Sequence, residues 1–219
     1  MGNILQIAYT VEGETDKRFL GNIIEKTFES LLLESKTEIE IHRPVCVDVK
    51  KETFIERIKE IALKYNYFHV ICVHCDSDAP STRRVIERKI NPAFNSVYNT
   101  KNTCNNLVAV IPVQMTEAWM LADIDLFLKE INTGKTCVEL NLPCHARQVE
   151  SIANPKNRIE TALREAHSNV SRRRRRLRLS DLYTPVSQKL TMEKLEELPS
   201  FIEFKENARR SLMKLNYLH

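Results

Sequence analysis

Four short apolar runs, each interrupted by a stretch of helical periodicity, leave this chain few ways to fold. The runs are ILQIAYTV (4–11), IEIHRPVCVDV (39–49), FHVICVHC (68–75) and NLVAVIPV (106–113). They are short and rich in β-branched residues, which suits buried strands. FHVICVHC is apolar on both faces, so it belongs in the centre of a parallel sheet. Pro44 weakens the second run and makes it edge-like. Between the first two runs, Phe19, Leu20, Ile23, Ile24, Phe28, Leu31 and Leu32 recur at helical spacing. Between the second and third, Ile55, Ile58, Ile61, Ala62 and Tyr65 do the same. A short helix is expected near 81–90 and a longer one over 116–131. Strands alternating with helices predict an α/β fold, a mainly parallel sheet flanked by helices in the Rossmann manner.

Past residue 132 the periodicity gives way to a loop-rich stretch with Gly134, Pro143 and Pro155. Helical spacing returns near 156–167 and 200–215. The expected organisation is an α/β domain over 1–131 with a basic, mostly helical C-terminal extension over 132–219 packed on it. Charge divides along similar lines. Residues 151–219 carry 15 Lys/Arg against 8 Asp/Glu, while the whole chain is only +4. An acidic front and a basic back fit carboxylate chemistry joined to polyanion binding.

No apolar run approaches the roughly 20 residues of a membrane span. The start, MGNILQIAYTVEGETD, has neither the basic region nor the apolar stretch of a signal peptide, and Gln6 stands where an acylation motif needs Ser or Thr. These features lead to the expectation of a cytoplasmic protein without membrane contact. In that compartment the six cysteines are expected as reduced, buried thiols rather than a disulfide framework. Cys72 and Cys75 would point to opposite faces of a strand. Cys137, Cys144 and His145 offer zinc ligands, but no second pair completes a site.

In open α/β sheets, ligands bind beyond the carboxyl ends of the strands. Glu12 follows the first run, and Asp76 and Asp78 follow the third. On extended backbone the two aspartates would point the same way, a geometry for capturing a hard cation such as Mg²⁺. The plainer alternative is a turn or helix cap ahead of Pro80. Glu117 opens the helix after the fourth run, again at a carboxyl end, or else satisfies backbone amides there. Asp123 and Asp125, further along that helix, are secondary candidates. Trp119, the sole tryptophan, is expected in the core or at an interface rather than as a base-stacking platform. Arg172, Arg173, Arg174, Arg175 and Arg176, with Arg178 beyond, form a basic run suited to nucleic-acid phosphates, DNA or RNA, or to an acidic protein partner.

The segment V-E-G-E-T-D-K-x-F-L (11–20), followed roughly sixty residues later by an apolar strand ending in D-x-D, resembles the Toprim signature. IPVQMTEAWMLAD (111–123), ANPK (153–156) and LPSFIEFKENARRSL resemble the Toprim-like DUF4276 family. The resemblance implies a Toprim fold and a Mg²⁺-dependent nuclease, with Mn²⁺ as a substitute. It implies that Glu12 is a metal ligand or general acid/base, that Asp76 and Asp78 hold the metal, and that Asp16 adds to the site as in OLD-type nucleases. Glu117 would serve a second metal, as two-metal nucleases require. Lys156, at the family's Pro-Lys position, would offset charge developing on the phosphate. Gly13 would occupy a turn needing a small or positive-φ residue. His74 and Cys75, directly before Asp76, depart from the simplest pattern. Family members resemble partners of ABC-type or OLD-type ATPases in anti-phage defence, and this sequence has no G-x-x-x-x-G-K-[ST] loop of its own. A housekeeping ribonuclease acting on structured RNA is the rival enzyme. A non-catalytic Toprim scaffold is the rival of another class.

Each phosphate neutralised releases counterions, so nucleic-acid binding should weaken with salt at a log–log slope of about −0.7 to −0.9 per contact. Replacing Arg172 through Arg176 with Ser should flatten that slope by several units and weaken all sequences alike, because phosphate contacts do not read bases. An unchanged slope with lost binding to an ATPase would make the run a protein-docking surface instead.

Overall fold

The computed structural model describes residues 3–168 and 177–219. Arg172 to Arg176 therefore lie outside the described residues. Among the described residues six short strands form, all paired in parallel: β1 (Asn3–Leu5), β2 (Ile7–Thr10), β3 (Ile39–Ile41), β4 (Val45–Cys46), β5 (Val70–His74) and β6 (Leu107–Val110). The main sheet has the order β4-β2-β5-β6, and β1 pairs with β3 in a separate ribbon. The fold is the α/β class expected, with helices against the parallel strands.

Two of the four runs are split rather than continuous. The first breaks at Gln6, whose N–H donates to His69 Nδ1 at 2.9 Å. The second breaks around Pro44, which has no N–H for a ladder. β5 behaves as a central strand, buried along its whole length. Its alternation divides the interior in two. Val70 and Cys72 join one apolar cluster, while Ile71, Val73 and Cys75 join another on the opposite face.

α1 (Glu14–Leu32) covers the first face with Phe19, Leu20, Ile23, Ile24, Phe28 and Leu31. α2 (Phe54–Lys64) covers the second with Ile58, Ile61 and Ala62, while Ile55 stays exposed. A capping box between Thr53 and Glu56 starts α2. The expected short helix near 81–90 runs further: α3 (Arg83–Val85), a π turn (Ile86–Ile90) and α4 (Asn91–Tyr98) succeed one another. Pro92, with no N–H to offer, sits just past the π turn. The helix expected over 116–131 is two, α5 (Thr116–Met120) and α6 (Ile124–Glu130). Asp123 separates them by accepting the Leu126 N–H at 3.0 Å as the cap of α6.

The second half of the chain adds α7 (Pro155–Ala166), α8 (Tyr183–Lys189), α9 (Met192–Leu195) and α10 (Pro199–Lys214). Leu163, Tyr183, Val186, Phe201 and Phe204 enter the same cluster as Phe19, Ile23 and Trp119. Trp119 is fully buried, as expected, edge-on to Phe201, and its indole N–H donates to Ser200 Oγ at 2.8 Å. Cys137 and Cys144 are joined as a disulfide, against the expectation of thiols throughout. The tight loop brings their Cα atoms to 5.5 Å, inside the range that a bridge requires. Cys72, Cys75 and Cys104 are buried free thiols. Among the described residues no helix is long and apolar enough to cross a membrane.

Lys26 fastens α8 to α1. Its ammonium donates to the carbonyls of Ser187 at 3.0 Å, Gln188 at 2.6 Å and Leu190 at 3.0 Å, the C-terminal end of α8. Lys26→Met should therefore cost about 1.5–3 kcal/mol, the worth of charge-assisted bonds at a partly buried site. In a chain of this size thermal unfolding should shift down by about 2–4 °C per kcal/mol.

Candidate functional site

The acids gather where β2, β5 and β6 end. The ladder between β5 and β6 continues past the sheet as their following loops pair. Cys75 N–H donates to Val110 O at 3.2 Å, Ser77 N–H to Pro112 O at 3.2 Å, and Asp78 N–H to Gln114 O at 3.0 Å. Gln114 N–H reaches the buried Ser77 Oγ at 2.8 Å. Asp78 (φ 48°) and Gln114 (φ 62°) both adopt the left-handed conformation, uncommon away from glycine. This pairing sets the 76–79 loop against Thr116 and Glu117 at the start of α5.

On the α1 side of the sheet three carboxylates converge. Asp76 Oδ1 accepts the Thr116 N–H at 3.0 Å and lies 3.2 Å from His74 Nε2. The Thr116 hydroxyl stands 3.2 Å from His74 Nε2 and 3.4 Å from Asp76 Oδ1. Asp16, buried in the first turn of α1, accepts the Gly13 N–H at 3.0 Å. Burial and the neighbouring charge of Asp76 hold its carboxyl above the ordinary value, against the opposing pull of His74. Glu117 is buried too, and the Tyr183 hydroxyl donates to its Oε1 at 2.5 Å. Its carboxyl is also raised, by burial first and then by Asp76 and Asp16, although the Tyr183 bond opposes this. Tyr183 is pushed up in turn by burial and by Glu117.

On the α2 side a second group forms. The Cys75 thiol donates to Glu12 Oε1 at 3.3 Å. Lys89, from the π turn, places Nζ 3.6 Å from Glu12 Oε1 and 3.5 Å from Cys75 Sγ. Burial and Glu12 push the Cys75 thiol up to about 12, so it stays protonated at neutral pH and keeps its donor. Asp78 is exposed, and its carboxyl is raised by partial burial, then by Asp76 and Glu12, with Lys89 opposing. Asp76 and Asp78 thus link the two groups electrostatically.

The sequence placed Glu12, Asp16, Asp76, Asp78 and Glu117 in one site, and all five lie at this edge of the sheet. One geometric expectation is corrected, and one of two alternatives is chosen. Asp76 and Asp78 do not share extended backbone, because Asp78 turns left-handed where the loops pair. Gly13 has an extended φ of −134°, so its requirement is space: a Cβ there would meet Asp16 Oδ2 at 3.1 Å. Asp123 serves as a helix cap, and Asp125 is exposed. Lys156, exposed in the first turn of α7, shares a cavity with Thr15, Arg178 and Tyr183. Sequence reasoning missed Lys89, Thr116 and Tyr183. Tyr183 stands 66 residues from Glu117, and nothing local announces it. His74 and Cys75 were visible only as residues out of pattern.

Carboxylate oxygens are the donors that Mg²⁺ or Mn²⁺ prefers, so the residue types fit such an ion. As arranged, Asp76 and Glu117 spend oxygens on Thr116, His74 and Tyr183. Among the described residues no group of three or more His, Cys, Asp or Glu is set to hold a metal ion.

A family model described as a domain of unknown function, DUF4276, matches residues 11–204. Comparisons with curated proteins and with solved structures return no match.

The raised carboxyls make a pH-dependent stability test. A group whose folded pKa is raised contributes stability in full below its unfolded value, about 3.9–4.3 for these acids, and loses it as pH rises through the folded value. Glu117→Gln removes the ionisation and keeps an acceptor for Tyr183. Without divalent ions it should melt higher than the parent at pH 7, by about 2–4 °C per kcal/mol of repulsion relieved, and the two curves should meet below pH 4. A lower melting point at pH 7 would show that Glu117 is not strained by its neighbours.

Proposed function

The chain belongs to the DUF4276 family, and on that footing we propose that it is a divalent-metal-dependent endonuclease of Toprim type. Its substrate would be nucleic-acid phosphodiesters. One observation carries the proposal: three mutually repelling carboxylates stand together at the carboxyl edge of a parallel sheet. Among the described residues their hydrogen-bond neighbours are Thr116 and His74 for Asp76, Tyr183 for Glu117 and the Gly13 N–H for Asp16, none of them a lysine or arginine. Three acids clustered with a single histidine as their possible cation are costly, and a divalent cation is the natural counter-charge.

Asp16, Asp76 and Glu117 would hold the ion, with Asp78 as a further ligand. When bound, the ion would supply Lewis-acid polarisation of the phosphate and an activated water. The remaining work falls to the chain. Thr116 fixes Asp76 through its N–H, and Tyr183 fixes Glu117. Glu12 Oε1, between the Cys75 thiol and the Lys89 ammonium, is placed to accept or return a proton. Lys89, beside Glu12, and Lys156, in the cavity that Thr15 and Tyr183 line, would offset charge developing on the phosphate. Arg178, with the arginine run, would contact the nucleic-acid backbone. An ABC-type or OLD-type ATPase as partner in anti-phage defence remains part of this proposal.

A non-catalytic scaffold is the second reading. It is favoured by the internal hydrogen bonds that already satisfy Asp76 and Glu117.

The deciding assay offers plasmid, single-stranded DNA, tRNA and ribosomal RNA with Mg²⁺ or Mn²⁺, with and without the ATPase. Tyr183→Phe should lower hydrolysis roughly 10–100-fold, as loss of a group orienting a metal ligand does. Asp76→Asn should lower it further while the protein stays folded. Hydrolysis that survives Asp76→Asn at full rate would sink the nuclease reading and leave the scaffold.

A further inference from the structure

Beside the acids lies a cavity of about 530 Å³. Sites for small-molecule ligands span about 300–1,000 Å³. Thr15 and Tyr183 form the wall toward the acidic cluster, and Tyr183 is the residue that holds Glu117. Leu163, Leu177 and Leu179 give the cavity an apolar surface. Lys156, Arg164 and Arg178 line it as well, accompanied by one acid, Glu160. Lys156 and Arg178 come from segments that the sequence singled out separately, 22 residues apart, and the fold brings both to this hollow. His167 is a further lining residue. Its Nε2 is buried and has no hydrogen-bond partner among the described residues.

We infer that this cavity is a nucleotide subsite, taking one unpaired nucleotide of the strand whose phosphodiester meets the acids. The inference rests on the nuclease reading and gives it a substrate class. An apolar wall suits the face of a base, and guanidinium and ammonium groups suit its phosphate. A site for phosphate alone has no use for three leucines. A site for an aliphatic chain has no use for three cations. A base stacked and paired inside a duplex cannot present its face to such a hollow, so the substrate is single-stranded, looped or locally opened.

The test measures binding to the full chain by calorimetry without divalent ions, using AMP, adenosine and inorganic phosphate as probes. AMP should bind saturably. Adenosine and phosphate should each bind at least about tenfold more weakly, because stacking and charge both contribute. Arg164→Ser, on the exposed face of α7, and Leu177→Glu should each weaken AMP by a similar factor with the parent's circular dichroism retained. Should Leu177→Glu fail to fold, Arg164→Ser decides alone. Equal binding of AMP and phosphate, no saturable AMP binding, or an AMP affinity indifferent to Arg164→Ser overturns the subsite. AMP binding in a protein that cleaves nothing upholds the subsite and removes the nuclease reading. Cleavage of single-stranded DNA without AMP binding does the reverse.

Discussion

Carboxylates repel, and burial strengthens the repulsion because little water is left to screen it. Asp76 nevertheless stands close enough to Asp16 and Glu117 to help raise their carboxyls above the ordinary value. What holds them is the backbone of a parallel sheet and the loops that extend it. Asp76 follows β5, Glu117 follows β6, and Asp16 starts the helix after β2. The loops after β5 and β6 remain hydrogen-bonded to each other through Ser77, Asp78 and Gln114. Two left-handed residues are the conformational cost of that pairing. The charge is thus imposed by the scaffold, and the rest of the site is arranged around it.

The strand alternation gives the two faces of the sheet different tasks. Asp76 continues the parity of Cys72 and His74 and meets Thr116 and Asp16. Cys75 follows Ile71 and Val73 to the other face, where it meets Glu12 and Lys89. Cys75 is therefore more than core packing: its high-pKa thiol is a neutral donor held against a carboxylate. Lys89 reaches the same carboxylate from a π turn, a distortion of the helical ladder that often accompanies a working side chain.

The second half of the chain completes the site as well as covering the sheet. α8 supplies Tyr183 to Glu117, and Lys26 of α1 grips the end of the same helix. α7 and the segment before α8 bring Lys156 and Arg178 to the cavity beside it. Leu163, Phe201 and Phe204 share one buried cluster with Phe19 and Trp119, so this half and the sheet are packed as neighbours in a common interior. The arrangement of the acids and of the cavity beside them depends on that shared packing.

The alternation of apolar runs with helical spacing determined the parallel α/β class, because a strand buried on both faces and a helix with one apolar stripe have few other ways to pack. It also determined that Glu12, Asp76, Asp78 and Glu117 would collect at one sheet edge, since each follows a strand or opens the next helix. Local sequence decided less where two rules compete. Gln6 interrupts the first run only because His69 is there to pair with it, and Asp123 divides a helix that periodicity alone would continue. The Cys137–Cys144 bridge depends on a loop path that composition does not reveal. Tyr183 against Glu117, Lys89 against Glu12 and the cavity lined by Lys156 and Arg178 were decided by the tertiary structure alone. They join residues distant in the chain whose approach depends on helix packing, and neither charge nor spacing along a sequence encodes which faces will meet.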